Sequence, residues 1–146
     1  MEFEIIEAPI RFQLCGLASS VRNNNFGEVG MSLMNEMWKV MKASKTATTG
    51  INHWVYLPDN QMFVGVELVE DSQCPAPLDA VVFELQRYLK HVHIGPYQAL
   101  PAKWSSLKSE LARRGESIYS PSLEIYGHHN DDPSKLETTI LMGLMS

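Results

Sequence analysis

The chain has 146 residues, 45% of them hydrophobic, which gives it material for one globular core and excludes a disordered segment. Its formal net charge of −5 argues against a nucleic-acid surface, because neutralising phosphates needs a basic patch. No apolar run is long enough to cross a bilayer, and the acidic start Met1-Glu2-Phe3-Glu4 lacks the positive region and cleavage site of a signal peptide, so the expected location is cytoplasmic.

In chain order, residues about 2–9 and 11–18 read as strands separated by Pro9, with Phe3, Ile5, Phe12, Leu14 and Leu17 as apolar positions. Cys15 falls in the second of them and Cys74 in a Pro-rich connector. The expectation for this distant pair is two reduced thiols. After the Arg22-Asn23-Asn24-Asn25 loop, a helix is predicted from about Glu28 to Lys42. Gly30, Leu33, Met34, Met37, Trp38 and Met41 lie along one stripe, and the methionines make that face pliable. The basic set Lys39, Lys42 and Lys45 is its solvated end rather than a phosphate site. Residues about 51–57 and 62–69 form a hairpin around Pro58-Asp59-Asn60, with Trp54 and Tyr56 on one face. Asp71 to Leu78 is a linker. Strand-like residues run from about Val81 to His93, interrupted near Gln86-Arg87.

A second helix is predicted over about 98–114. Gly95-Pro96 starts it, Tyr97, Leu100, Trp104, Leu107 and Leu111 line one face, and Gly115 stops it. Strands follow at about 121–128 and 136–144, joined by Asn130-Asp131-Asp132-Pro133. On the first of them Glu124 and Tyr126 share a face, with Leu123 and Ile125 opposite. The order is strands, helix, hairpin, repeated, with Trp38 and Trp104 in corresponding places. This predicts an α+β fold of two pseudo-symmetric repeats, about 1–72 and about 79–146, pairing their sheets edge to edge with both helices on one face. The seam is then the place for a pocket, and an exposed sheet edge leaves room for a homodimer or a regulatory protein partner.

Taken alone, Glu124 between apolar strand residues reads as solvent-facing, since a buried unpaired carboxylate is costly. Four histidines, His91, His93, His128 and His129, have no metal-ligand spacing, and no metal or cofactor is expected. No nucleophile elbow, phosphate loop, dinucleotide fingerprint or zinc-protease helix occurs, so no catalytic residue is assigned.

His93-x-Gly95-Pro96-Tyr97-x-x-Leu100, Trp104-x-x-Leu107, Ser120-Pro121-x-Leu123-Glu124-Ile125-Tyr126, Asp132-Pro133 and Thr138-Thr139 together resemble the GyrI-like small-molecule-binding domain. That domain is also the effector-binding part of bacterial multidrug-responsive transcription activators. The resemblance covers nearly the whole chain, more loosely in the first half. It implies two strand-helix-strand-strand repeats and a seam cavity with a buried glutamate, falling on Glu124, that binds lipophilic cations. Trp38, Trp54, Tyr56, Tyr97, Trp104 and Tyr126 are the aromatic candidates for its walls; His93 lines it or orders the turn at Gly95. No helix-turn-helix accompanies the domain, so a stand-alone binding protein without direct nucleic-acid contact is expected. Two alternatives stay open: hydrolysis of a reactive cyclopropane-type compound in the same pocket, with Glu124 and a tyrosine as acid and base, and a gyrase-inhibitor-like protein-interaction role.

Overall fold

Two pairs of consecutive strands determine the architecture. In the computed structural model, which describes residues 2–146, β1 (Glu4–Ile6) and β2 (Ile10–Ser20) are joined by three residues, and β5 (Asp79–Leu85) and β6 (Tyr88–Ile94) by two. Yet neither pair is hydrogen-bonded to itself. β1 pairs with β6, and β2 pairs with β5 and with β4 (Gln61–Leu68). With β3 (Thr48–Leu57), β7 (Ile118–Tyr126) and β8 (Glu137–Leu144), the antiparallel sheet runs β1-β6-β8-β7-β3-β4-β2-β5. Short connections between strands near opposite ends of this order require the sheet to curl until its ends meet. The order is symmetric about the β7–β3 pair, which is the seam between halves. The strand-like run over 81–93, with its expected interruption near Gln86-Arg87, is thus two strands. The break at Gln86-Arg87 is the corner, where Arg87 bonds Glu7 at 3.0 Å and Glu116 at 2.6 Å.

Each face of the sheet has its own core. Phe12, Leu14, Val55, Phe63, Leu85, Tyr88, Leu123 and Leu141 fill the inside of the curl. Helix α1 (Phe26–Ser44) and helix α2 (Leu100–Arg113) cover the other face. Leu33, Met37 and Met41 seat α1 over Val64, Val66 and Trp54, and Leu100, Leu107 and Leu111 seat α2 over Leu89, Ile140 and Met142. Burying side chains of this size contributes roughly 1.5–3 kcal/mol each. Both helix ends follow from local sequence. Lys45 turns left-handed (φ 55°) and Thr46 N–H closes on Met41 O; Gly115 does the same for α2 at φ 75°, with Glu116 N–H on Leu111 O. The start of α2 differs from expectation. Tyr97–Ala99 is a separate turn of 3₁₀ helix, and a second proline, Pro101, sits in the first turn of α2 proper. α1 also starts earlier than expected, at Phe26.

The cysteines overturn the reduced-thiol expectation. Cys15 and Cys74 are joined by a disulfide across 59 residues of sequence. Proximity in sequence was the wrong guide: the linker crosses back over α1's end of the sheet, and Cys15 is buried there among Met37, Met41, Val66 and Leu78. Disulfides persist mainly in oxidising surroundings, so this bond also removes the argument from thiols to a cytoplasmic location. No helix among the described residues is long and apolar enough to cross a membrane.

Candidate functional site

The seam brings a carboxylate and its neighbours together by register alone. Trp54 on β3 pairs directly with Glu124 on β7, Asn52 pairs with Tyr126, and Tyr56 with Ser122. Cross-strand partners and i+2 neighbours point to the same face, here the one the helices flank. The second β7 turn of the alternation, Leu123 and Ile125, belongs to the core inside the curl. Between the helices, over the seam, lies a cavity of about 1240 Å³, larger than the roughly 300–1,000 Å³ usual for a small-molecule site.

Glu124 is its floor and is only 4% exposed. Tyr56 and Tyr126 donate their hydroxyls to Glu124 Oε1 at 2.6 and 2.5 Å, and Trp104 on α2 donates its indole N–H to Oε2 at 2.6 Å. Taking a carboxylate out of water costs several kcal/mol. Three bonds to a charged acceptor, each worth about 1.5–3 kcal/mol, offset that cost. All three donors are neutral, so none of them supplies Glu124 with a counter-charge. The tyrosines share in the effect: burial first, then the charge of Glu124, raises both phenols well above their ordinary value of 10.0. They therefore remain donors at any physiological pH.

The rings brace one another in two edge-to-face chains. Phe26, Tyr56 and Trp104 form one, with centroids 5.5 and 5.7 Å apart; Trp54, Tyr126 and Tyr97 form the other, at 5.5 and 5.4 Å. Such pairs contribute about 0.5–1.5 kcal/mol beyond burial. They hold the hydroxyls and the indole in place around Glu124 before any ligand arrives.

Of the eight expected site residues, six line the cavity: Glu124, Tyr126, Tyr56, Trp104, Tyr97 and Trp54. Two do not. Trp38 lies behind the wall, part-buried among the α1 methionines, where its indole N–H bonds Asn52 Oδ1 at 2.8 Å. Asn52 does line the cavity, so Trp38 supports the wall without forming it. The apparent equivalence of Trp38 and Trp104 misleads because their indoles take different partners, Asn52 for Trp38 and Glu124 for Trp104. His93 is buried at the Gly95 turn, with Nε2 3.2 Å from Pro96 O; it orders the turn. Other lining residues were not singled out from the sequence: Phe26, Met31, Asn52 and Lys108. Met34, already placed on the pliable stripe of α1, lines it too. Lys108 had the best available clue, four residues after Trp104 and hence on its face.

An open, curled antiparallel sheet with two helices and an aromatic-lined seam cavity defines a class of small-molecule-binding domains. The chain belongs to the GyrI-like small molecule binding domain family, whose pattern it matches over residues 1–145. No curated protein matches it. Among solved structures, the EcmrR C-terminal domain is similar at a TM-score of 0.72 and 16% identity, covering 100% of this chain and 99% of that one. SAV2435, solved bound to tetraphenylphosphonium, is similar at 0.68 and 16%, covering 100% and 95%. A hydrolase from Listeria innocua is similar at 0.59 and 13%, covering 99% and 92%. At these identities the likeness is one of fold.

Proposed function

We propose that the chain binds lipophilic aromatic cations in the seam cavity, with Glu124 as counter-charge and Trp54, Tyr56, Tyr97, Trp104 and Tyr126 as walls. One observation carries the reading: a buried carboxylate whose hydrogen-bond partners are all neutral. None of those partners supplies a counter-charge, and in a site of low polarity a cation is attracted to a carboxylate far more strongly than in water. Ring faces around it add about 0.5–2 kcal/mol each through cation–π attraction. Recognition by charge and flatness, with methionines on the α1 side, suits a range of ligands rather than one. The phosphonium bound to SAV2435, a protein of the same fold, is a ligand of this kind. Calorimetry with tetraphenylphosphonium and with neutral triphenylphosphine oxide tests it. The cation should bind at least about ten-fold tighter, a difference of 1.4 kcal/mol. Equal binding removes Glu124 as the selector; no binding of either sinks the whole reading.

A second reading has its own observation. Two hydroxyls converge on the same oxygen of Glu124, an arrangement that can pass a proton between a ligand and the carboxylate. That favours hydrolysis of a strained, reactive compound in the same cavity. Mass spectrometry of a cyclopropane-containing electrophile incubated with the protein decides it: loss proportional to protein concentration, abolished by Tyr126→Phe, supports turnover, and loss at the buffer rate refutes it.

A further inference from the structure

We propose that Lys108 is a second charge pole of the cavity, and that its ligands are amphoteric: lipophilic aromatic cations that also carry a carboxylate or similar acid. The inference deepens the reading of the cavity as a cation site and rests on it. Trp104 and Lys108 stand one turn apart on α2 and share a face. Trp104 faces both poles. Its N–H bonds Glu124 Oε2 at 2.6 Å, and Lys108 Nζ lies 5.9 Å from the centre of its ring. Lys108 lines the cavity and is exposed. Among the described residues it makes no ion pair, whereas the other basic side chain lining the cavity, His129, lies 3.0 Å from Asp131. The indole thus separates a buried negative floor from an unpaired positive rim.

This arrangement reads more than one sign. A simple cation pairs with Glu124 and leaves Lys108 without a counter-charge. A molecule with an acid a few bonds from its cation satisfies both poles, one at the N–H edge of the Trp104 ring and the other over its face. The poles are separated by no more than that ring with one contact at its edge and one over its face, so the acid belongs on a short tether and not at the end of a long chain. Because Lys108 is exposed, its part is screened by salt, while the buried pole is screened much less.

The test uses calorimetry with (4-carboxybutyl)triphenylphosphonium and its methyl ester, which differ only in the free acid, on the wild type, Lys108→Met and Lys108→Glu. The wild type should prefer the acid by about three- to ten-fold at low salt, and the preference should shrink as salt rises. K108M should abolish the preference, and K108E should reverse it and bind tetraphenylphosphonium more tightly than the wild type does. If the wild type binds the ester as well as the acid, or K108M keeps the preference, Lys108 is no pole and the inference fails while the cation site stands. If the wild type binds neither compound nor tetraphenylphosphonium, the cation reading fails and this inference falls with it.

Discussion

Replacing Glu124 by glutamine separates what the charge does from what the shape does. The amide fits the same space. Its oxygen, placed where Oε1 now lies, still accepts from Tyr56 and Tyr126. Its NH2 then meets the Trp104 N–H, donor against donor, so that bond is lost. Two bonds fall from the charged range of about 1.5–3 kcal/mol to the neutral range of about 0.5–1.5. In return the several kcal/mol spent on burying a carboxylate disappear. These terms nearly cancel, and E124Q should melt close to the wild type, with stability within about 2 kcal/mol of it. Binding has no such cancellation. A cation about 5 Å from the carboxylate, at an effective dielectric of about 20, gains roughly 3 kcal/mol. Its loss lowers affinity about a hundred-fold. Tetraphenylphosphonium binding by calorimetry should therefore collapse while triphenylphosphine oxide changes less than about three-fold. If E124Q binds the phosphonium within a factor of about three of the wild type, the buried charge is not what selects the ligand.

The remaining predictions concern the scaffold of the site. Tyr56 and Tyr126 hold their protons in the folded chain above 10.0, where the unfolded chain releases them. Stability should accordingly fall as pH rises past about 10, by about 1.4 kcal/mol per pH unit for each tyrosine. Urea unfolding at several alkaline pH values reads the slope, and native phenolate absorbance that accounts for all five tyrosines by pH about 11 would contradict it. Reducing Cys15–Cys74 opens a loop spanning 59 residues, for which chain entropy sets a loss of about 4 kcal/mol. A denaturation midpoint unmoved by reductant, or two free thiols in the unreduced protein, would refute the bond's contribution. Gly30 carries α1 directly over Trp54, and a Cβ there would lie 2.3 Å from the indole. Gly30→Ala should cost about 1–3 kcal/mol by overpacking and shift the tryptophan emission; a neutral substitution would mean that α1 does not press on the cavity wall.

How much of this was legible depended on whether a feature is local. The α1 stripe, the Asp59-Asn60 turn with both residues left-handed, the Gly115 stop and the shared face of Glu124 and Tyr126 are all written within a few residues, and a periodic pattern finds them. The partner of a strand is not. Nothing near β5 says that it will pair with β2 in place of β6, because that choice is made by the curl of the whole sheet. The same holds for Glu124. Local sequence placed it beside solvent, and only the resemblance placed it in a cavity. The three donors that make its burial tolerable come from β3, α2 and β7, up to 68 residues away in sequence. Trp38 fails for a related reason. A ring on the apolar stripe of a helix is known to be covered, but not by what, and its cover proved to be the core behind Asn52.

The two halves do not contribute equally, and the asymmetry explains how one cavity can be both tolerant and selective. In a strand order symmetric about β7–β3, Trp54 and Glu124 face each other across the seam. At that central pairing the first half offers a ring and the second a charge. The division continues outward. Half one lines the cavity with Phe26, Met31 and Met34 from α1, apolar groups whose methionines repack at little cost. Half two lines it with Tyr126, Trp104 and Lys108, which either hold the carboxylate or stand over the ring that does, and Tyr56 is the one donor to the carboxylate that half one lends. A pliable wall accepts many shapes because no single contact there is strong. A braced polar anchor rejects the wrong charge because its donors cannot rearrange without leaving Glu124 unpaired. Substitutions in α1 should therefore change which ligands fit, and substitutions around Glu124 whether charge is read at all.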